Sequence, residues 1–193
     1  MKGDPMKDLS TIHAPVLLDG CVNLVSPALN HKNSVVVDCT LGLAGHATAF
    51  LKAAPLATLV GIDRDGEALE LATKRMREEG LDERFIPVHA AFDEVDKVLE
   101  DLAIYHIDAA FMDLGLSSLQ IDEEDRGFSY SHNTALDMRM DTTQSITAAT
   151  ILATYDSHKL ANIFREYGQE RFSGPIARKI VQVREETPIT TSG

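Results

Sequence analysis

The sequence has no tryptophan, two cysteines and no apolar run near the roughly 18 residues that a membrane-spanning helix needs. Cys21 and Cys39 lie far apart and match no metal-binding spacing, so we expect reduced, buried thiols and a cytoplasmic location. The first ten residues are polar and lack the apolar core of an export signal. These absences favour an ordinary globular protein with no membrane partner.

Basic residues are in the minority, because 18 lysines and arginines stand against 30 acids and give a net charge of −12. An acidic surface repels phosphate, which excludes nonspecific nucleic-acid binding and requires any RNA contact to be local. Residues 157–184 are the one local candidate, since Glu166 and Glu170 are their only acids. By itself this segment is more typical of two solvated helix faces than of an RNA site. Its basic residues are Lys159, Arg165, Arg171, Arg178, Lys179 and Arg184.

Short apolar runs alternate with helical stretches in the first part of the chain. Each run is too short for a helix, and three of the four are rich in β-branched residues. This alternation predicts an α/β fold, a doubly wound parallel sheet covered by helices on both faces. The predicted strands are residues 35–37, 59–62, 85–88 and 109–112, and the predicted helices are residues 16–29, 47–54, 66–79 and 95–102.

The pattern changes after Asp113. Residues 115–143 are polar and predict a long ordered loop, and helices are expected at residues 156–167 and 175–186. We therefore predict two domains, a Rossmann-like core over residues 1–118 and a loop with a small helical insertion over residues 119–193. A fourth strand should lie beside the first, where it would leave an apolar edge. We expect the sheet to be incomplete and the chain to be a piece of a longer protein.

A glycine-containing loop follows the first strand at residues 38–46, and Asp63 ends the second strand about 20 residues later. Such a loop lets a ligand approach the backbone, and the acid can accept hydrogen bonds from ribose hydroxyls. The loop alone is also compatible with a plain strand-to-helix turn. NAD and S-adenosylmethionine both fit the pair, but the missing G-x-G-x-x-G fingerprint favours the ligand without a diphosphate, and the missing G-K-[ST] argues against a nucleoside triphosphate.

Asp113 and Phe92 are further candidates at the ends of strands. Asp113 follows the fourth strand at the switch point, where ligands bind in such sheets, and is our best candidate for a residue that touches both cofactor and substrate. A helix-capping role is less favoured because a loop follows it. Phe92 can flank an adenine ring or, equally well, pack the next helix onto the sheet. Asp137 with Arg139 is more typical of an ion pair that holds the loop than of catalysis.

These blocks together resemble the bacterial 16S ribosomal RNA cytosine-N4 methyltransferase family, also known as RsmH or MraW. The resemblance begins at about His13 and continues to the end of the chain. Several of the shared strings are long and rare, which makes the match specific. They are His13–Leu18, Asp38–His46, Ile62–Asp65, Asp113–Gln120, Arg126–Ser129, Leu136–Met140, Tyr167–Phe172 and Ile176–Ile180.

The resemblance implies a class I methyltransferase fold, S-adenosylmethionine as cofactor, no metal, and 16S ribosomal RNA as partner. The helical insertion after Gln120 would help hold the RNA, and the oligomeric state is left open, a dimer included. Two departures stand out. Ala44 replaces a glycine of the family's cofactor loop, and the family's later strands are absent. The cofactor residues implied are Ala44, Gly45, His46, Asp63, Phe92, Asp113 and Gln120, and the candidate RNA contacts are Arg139, Arg171, Arg178 and Lys179.

The implied reaction transfers a methyl group from a sulfonium to the exocyclic amine of an unpaired cytosine. The lone pair of that amine is delocalised into the ring, so an acceptor aimed at its N–H would favour attack. We expect Asp113 to be that acceptor or to position it. Two alternatives are a cofactor-binding or interaction module without catalysis, and a methyltransferase that acts on a small molecule.

Overall fold

The computed structural model describes residues 15–117, 120–121, 126–129 and 132–192. The chain divides into two compact units, residues 1–115 and 116–193. This division falls three residues before the expected boundary between residues 118 and 119, and the two domains themselves stay a prediction. Within the described ranges no helix is both long and apolar enough to cross a membrane.

A four-stranded, fully parallel sheet forms the centre of the first unit, in the order β3-β2-β1-β4. All four predicted strands are confirmed, with ends that differ by one residue at most. The fourth strand pairs with the first, as the doubly wound topology predicted. The strands are β1 (Val35–Asp38), β2 (Thr58–Asp63), β3 (Phe85–His89) and β4 (Ala109–Phe111).

Helices cover both faces of this sheet. Successive strand residues point to opposite sides, so each strand supplies apolar side chains to both helix layers. Leu59 packs on one face with Phe50 and Met76, whereas Val60 packs on the other with Val98. Both apolar clusters are largely sealed from solvent, which confirms the doubly wound α/β arrangement. The helices of this unit are α1 (Leu18–Val25), α2 (Gly45–Ala53), α3 (Gly66–Glu78) and α4 (Val95–Asp101).

The single helix predicted over residues 16–29 is wrong in one respect, because α1 ends at Val25 and a 3-10 helix continues over Ser26–Leu29. Pro27 explains the change, since proline has no N–H with which to continue the α-helical hydrogen-bond ladder. Ser26 still donates its N–H to the carbonyl of Val22 and ends the helix there.

Gly61 lets the loop after β1 approach the carboxyl-terminal half of β2. A Cβ at this position would lie 2.7 Å from both Leu41 Cδ1 and Phe85 Cε2, so any larger residue would displace them. The Leu41 N–H also donates to the Ile62 carbonyl at 3.0 Å. The β1 loop is therefore held against the end of β2.

The second unit contains α5 (Ala148–Thr154), α6 (Ser157–Glu166) and α7 (Ser173–Arg184). The two predicted helices, α6 and α7, are confirmed, whereas α5 was not predicted. The predicted loop is confirmed over residues 132–143, which contain neither helix nor strand beyond an isolated bridge between Ala135 and Thr191, but it is wrong at residues 120–121, which are helical. Residues 118–119, 122–125 and 130–131 of that loop lie outside the described ranges.

Candidate cofactor site at the carboxyl edge of the sheet

Three carboxyl groups gather where the central strands end. Asp38 ends β1, Asp63 ends β2, and Asp113 follows β4 by two residues. Because these strands are parallel neighbours, their carboxyl ends meet at one edge of the sheet, which we call the carboxyl edge. The structure thus brings the predicted Asp63 and Asp113 to the same edge and places Asp38, which was not a predicted site residue, on the strand between them.

Asp63 joins two loops through both of its carboxylate oxygens. Its Oδ2 accepts the N–H of Gly42 at 2.7 Å, and its Oδ1 accepts the N–H of Asp65 at 2.8 Å. Burial raises the pKa of this carboxyl, and the backbone N–H groups of Asp65 and Gly42 oppose that shift. Each oxygen keeps a second lone pair, so the group can also accept hydrogen bonds from ligand hydroxyls.

Asp38 is the most deeply buried of the three carboxyls. Its Oδ1 accepts the Thr40 N–H at 3.0 Å. Burial raises its pKa from 3.8 to about 7, and repulsion from Asp63 and Asp113 adds to the shift. Negative charge is therefore disfavoured at this edge, and a cationic ligand would relieve the repulsion.

Thr40 connects the β1 loop to the segment that carries Asp113. Its hydroxyl accepts the Asp113 N–H at 2.7 Å, and the Cys39 N–H donates to the Phe111 carbonyl at 2.9 Å. Residues 112–117 are not helical, so the structure does not support a helix-capping role for Asp113. Sequence reasoning missed Thr40, because its partner lies 73 residues away along the chain.

The N-terminus of α2 presents backbone N–H groups to the same loop. Ala44 precedes the helix in a left-handed conformation with φ of 58°, and a Cβ at Gly45 would overlap Pro15. The imidazole of His46 lies inside the unit, where Nε2 is 3.1 Å from the Val16 carbonyl and the ring packs on Phe111. His46 can therefore meet a ligand at this loop through its backbone N–H rather than through its ring.

Phe92 begins a short 3-10 turn just after β3 and is 49% exposed. The helix that follows, α4, packs onto the sheet through Val95, Val98 and Leu99 instead. Of the two roles considered for Phe92, exposure therefore favours contact with a ligand over packing of the helix.

Two predicted residues in the second unit have structural partners. Gln120 is buried, and its Oε1 accepts the Ser117 N–H at 3.1 Å. The Arg139 guanidinium donates to both carboxylate oxygens of Asp137, at 2.8 and 2.7 Å, and also to two loop carbonyls. This favours the loop-holding interpretation of Arg139, and the cofactor role of Gln120 stays a prediction. Arg171, Arg178 and Lys179 are exposed.

The described residues hold no group of three or more histidine, cysteine or carboxylate side chains arranged for a metal ion. The buried residues at the carboxyl edge are instead hydrogen-bonded to backbone. Their carboxylate acceptors fit S-adenosylmethionine, which combines ribose hydroxyls with a cationic sulfonium and ammonium. Asp63 offers acceptors for the hydroxyls, and the crowded carboxyls offer a favourable place for the cations.

Comparisons with known proteins agree with the motifs. Two curated relatives, from Bifidobacterium longum strain DJO10A and Clavibacter michiganensis strain NCPPB 382, are both named ribosomal RNA small subunit methyltransferase H. They are 67% and 48% identical to this chain over 187 and 184 residues. The matches cover 97% and 95% of this chain but 52% and 57% of the relatives, so the chain spans about half their length.

A solved structure, the C-terminal domain of precorrin-6Y C5,15-methyltransferase from Rhodobacter capsulatus, is similar with a TM-score of 0.40 and 20% identity. The likeness covers 52% of this chain and 51% of that one. The model of the MraW methylase family matches residues 10–193, nearly the whole length. The chain therefore belongs to the MraW methylase family.

Proposed function

We propose that this chain supplies the S-adenosylmethionine-binding part of an enzyme that methylates N4 of a cytosine in 16S ribosomal RNA. The observation that carries the proposal is the carboxyl edge, where Asp63 offers hydrogen-bond acceptors and the buried Asp38 and nearby Asp113 favour a cation. The relatives' name, which refers to small-subunit ribosomal RNA, supports the substrate class. A cytoplasmic location follows from that substrate and stays a prediction.

Each part of the cofactor has a suitable group at this edge. Asp63 would accept the ribose hydroxyls, and exposed Phe92 would lie against the adenine. The N-terminus of α2 at Gly45 would attract the carboxylate, since helix N-termini stabilise anions. When bound, the cofactor supplies a methyl group on a sulfonium leaving group.

Asp113 would act on the substrate amine. Its carboxylate is exposed, and the Thr40 hydroxyl holds its backbone at the switch point of the sheet. As the nitrogen forms its bond to the methyl carbon, the carbon–sulfur bond breaks and the amine must lose a proton. A carboxylate that accepts this N–H stabilises the developing positive charge and receives the proton.

Calorimetric titration of S-adenosylmethionine tests the cofactor site, with Asp63→Ala and Asp108→Ala as a matched pair. Each variant removes a carboxylate that accepts a backbone N–H from a neighbouring strand or loop, Gly42 for Asp63 and Val35 for Asp108. Asp108, however, lies at the opposite edge of the sheet. We expect Asp63→Ala to bind about 10- to 100-fold more weakly, the loss of a hydrogen bond to a charged group. Asp108→Ala should bind like the unaltered chain.

Equal affinities in all three proteins would contradict the proposed site, and far-UV circular dichroism would check that each variant folds. A second candidate function, a cofactor-binding module without catalysis, is favoured by the net charge of −12, which repels RNA from most of the surface. Transfer of a radiolabelled methyl group to 16S ribosomal RNA distinguishes the two candidates, because the module would bind the cofactor without transferring the label.

A further inference from the structure

The turn between α6 and α7 exposes two aromatic rings. Tyr167, which ends α6, is 83% exposed, and Phe172, which precedes α7, is 55% exposed. Rings of this size contribute most of their stabilisation when they are buried. Two of them exposed on one short turn therefore indicate a surface that contacts something other than the protein core.

The turn is held by its own hydrogen bonds, so the exposure is a property of an ordered backbone. Gln169 has a left-handed φ of 51°, which reverses the chain. The Glu170 N–H donates to the Phe164 carbonyl at 2.9 Å, and the Glu170 side chain accepts the Phe172 N–H at 2.7 Å. The Ser173 N–H then donates to the Glu170 carbonyl at 3.2 Å and begins α7.

Two arginines lie against this aromatic turn. The Arg171 guanidinium carbon is 4.9 Å from the centre of the Phe172 ring, in a cation–π contact. Arg178 Nη1 lies 3.4 Å from the position of a Cβ on Gly174, so this guanidinium reaches back toward the start of α7. The surface formed by Tyr167, Arg171, Phe172 and Arg178 is called the aromatic–arginine turn below.

The charge around the turn is opposite to that of the whole chain. The net charge is −12, yet residues 157–184 contain six basic residues and only two acids, Glu166 and Glu170. The carboxylate of Glu170 is engaged with the backbone N–H of Phe172. A polyanion would therefore be repelled by most of the sequence and attracted to this segment.

We propose that the aromatic–arginine turn binds unpaired nucleotides of RNA. Bases would stack on the Tyr167 and Phe172 rings or on the Arg171 guanidinium plane, and Arg171 and Arg178 would contact phosphates. Cations beside the rings favour RNA over an apolar protein partner, and the exposure of the rings favours unpaired bases, whose faces are accessible, over a duplex. The inference rests on the proposed RNA substrate and assigns a subsite for it.

Fluorescence titration of a single-stranded RNA dodecamer that contains 2-aminopurine tests this subsite, because stacking on an aromatic ring quenches that base. Tyr167→Ala and Phe172→Ala should each weaken binding about 5- to 100-fold, the range for loss of one base–aromatic stack, and should reduce the quenching. Tyr167→Phe should bind normally. Tyr105→Ala is the matched control, since Tyr105 is 87% exposed but belongs to the first unit, and it should have no effect.

Salt dependence separates stacking from phosphate contact. Log affinity falls as log salt rises, and Arg178→Ala should make this dependence shallower by about 0.7, the value for one phosphate contact on a single strand. The two alanine variants at the rings should leave the slope unchanged. A duplex of the same sequence should bind more weakly than the single strand.

Several results would overturn the inference. These are no RNA binding by the unaltered chain, equal effects of Tyr167→Ala and Tyr105→Ala, or a change in sedimentation instead of RNA affinity, which would assign the surface to self-association. Cofactor titration is independent of this test. If the ring variants lose RNA binding but the unaltered chain does not bind the cofactor, the subsite is sustained and the proposed function is contradicted. If the unaltered chain binds the cofactor but not RNA, the subsite is contradicted and the proposed cofactor site is sustained.

Discussion

The two edges of the central sheet use aspartates in opposite ways. At the opposite edge, where β1 and β4 begin and which we call the amino edge, Asp108 accepts the Val35 N–H at 2.7 Å and lies 3.0 Å from His31 and 3.3 Å from His106. The Val35 N–H and His31 lower the pKa of Asp108. At the carboxyl edge, burial raises the pKa of both Asp38 and Asp63.

The structural task is similar at both edges, because Asp108 and Asp63 each join neighbouring strands or loops through a backbone N–H. Only the carboxyl edge crowds its carboxyls in a buried place that disfavours their charge. Holding a sheet together does not require buried carboxyls with raised pKa values, because Asp108 joins β1 and β4 with a lowered pKa. Perturbed carboxyls of this kind concentrate at functional sites, where a ligand supplies the missing charge.

The largest expected effect comes from Asp38→Asn, which removes the buried charge and keeps an oxygen to accept the Thr40 N–H. An aspartate whose folded pKa is about 7 instead of 3.8 makes the folded state bind more protons between those values. Stability should therefore fall as the pH rises from about 4 to about 7, by on the order of a few kcal/mol in the free energy of unfolding. Urea denaturation from pH 5 to 8 should show this slope in the unaltered chain and much less of it in the variant.

Asp101→Asn is the control for this comparison, because it removes a charge from the exposed end of α4. It should leave most of the pH slope in place. If Asp38→Asn keeps the full slope, the buried carboxyl is not the source of the pH dependence, and the contrast between the two edges loses its main support.

The sequence predicted the sheet because strand and helix signals are local. Apolar runs of three or four residues and the helical spacing between them located all four strands, and the parallel topology placed Asp63 and Asp113 at one edge. The helix α5 could not be found in this way. It is only seven residues long, too short to show a clear helical repeat, and its two threonines are poor helix formers. It is held by the Thr147 cap and by Arg184 of α7, which donates to the Leu152 and Tyr155 carbonyls.

Long-range contacts explain what the sequence left open at the site. The interior position of the His46 ring depends on Phe111, and the position of Asp113 depends on Thr40, each more than 60 residues away along the chain. The burial that raises the pKa of Asp38 also depends on both neighbouring strands. Motifs identified Asp63 and Asp113 at the edge, but not the interior position of the His46 ring or the hydrogen bond that holds Asp113.

Thr40→Val should produce the next largest effect, because valine keeps the size of threonine and removes the acceptor for the Asp113 N–H. Loss of one such hydrogen bond costs about 1 kcal/mol, so we expect several-fold faster hydrogen exchange at the Asp113 amide. Two-dimensional NMR would measure this rate, and Thr40→Ser should restore it. Unchanged exchange in the valine variant would mean that Asp113 is positioned by other contacts.

Ala44→Gly should change stability less, by under about 1 kcal/mol. Glycine removes the left-handed penalty that alanine experiences at φ of 58°, but it also removes a buried methyl group worth about 0.8 kcal/mol. Thermal denaturation would measure the difference. Asn33→Gly is the counterpart near the amino edge, where asparagine tolerates a φ of 63°. A large loss of stability in Ala44→Gly would show that packing, not strain, dominates at this loop.

The smallest effect should come from His31, which is exposed at the amino edge. A hydrogen bond with the Lys32 backbone, together with Asp108, raises the pKa of His31 above 6.5, whereas the pKa of Asp108 lies below 3.8. The contribution of His31 to the free energy of unfolding is complete below pH 6.5 and is lost as the pH rises through its folded pKa. The contribution of Asp108 is complete above pH 3.8 and is lost as the pH falls through its folded pKa. The contact should therefore be strongest between about pH 4 and 6.5 and weaken on the alkaline side of that range. NMR titration of the imidazole in the unaltered chain and in Asp108→Asn separates the two edges, because only the amino-edge variant should return the pKa of His31 toward its ordinary value. No difference between the two titrations would mean that the Lys32 backbone alone sets the pKa, and that the amino edge holds its strands without a charged histidine.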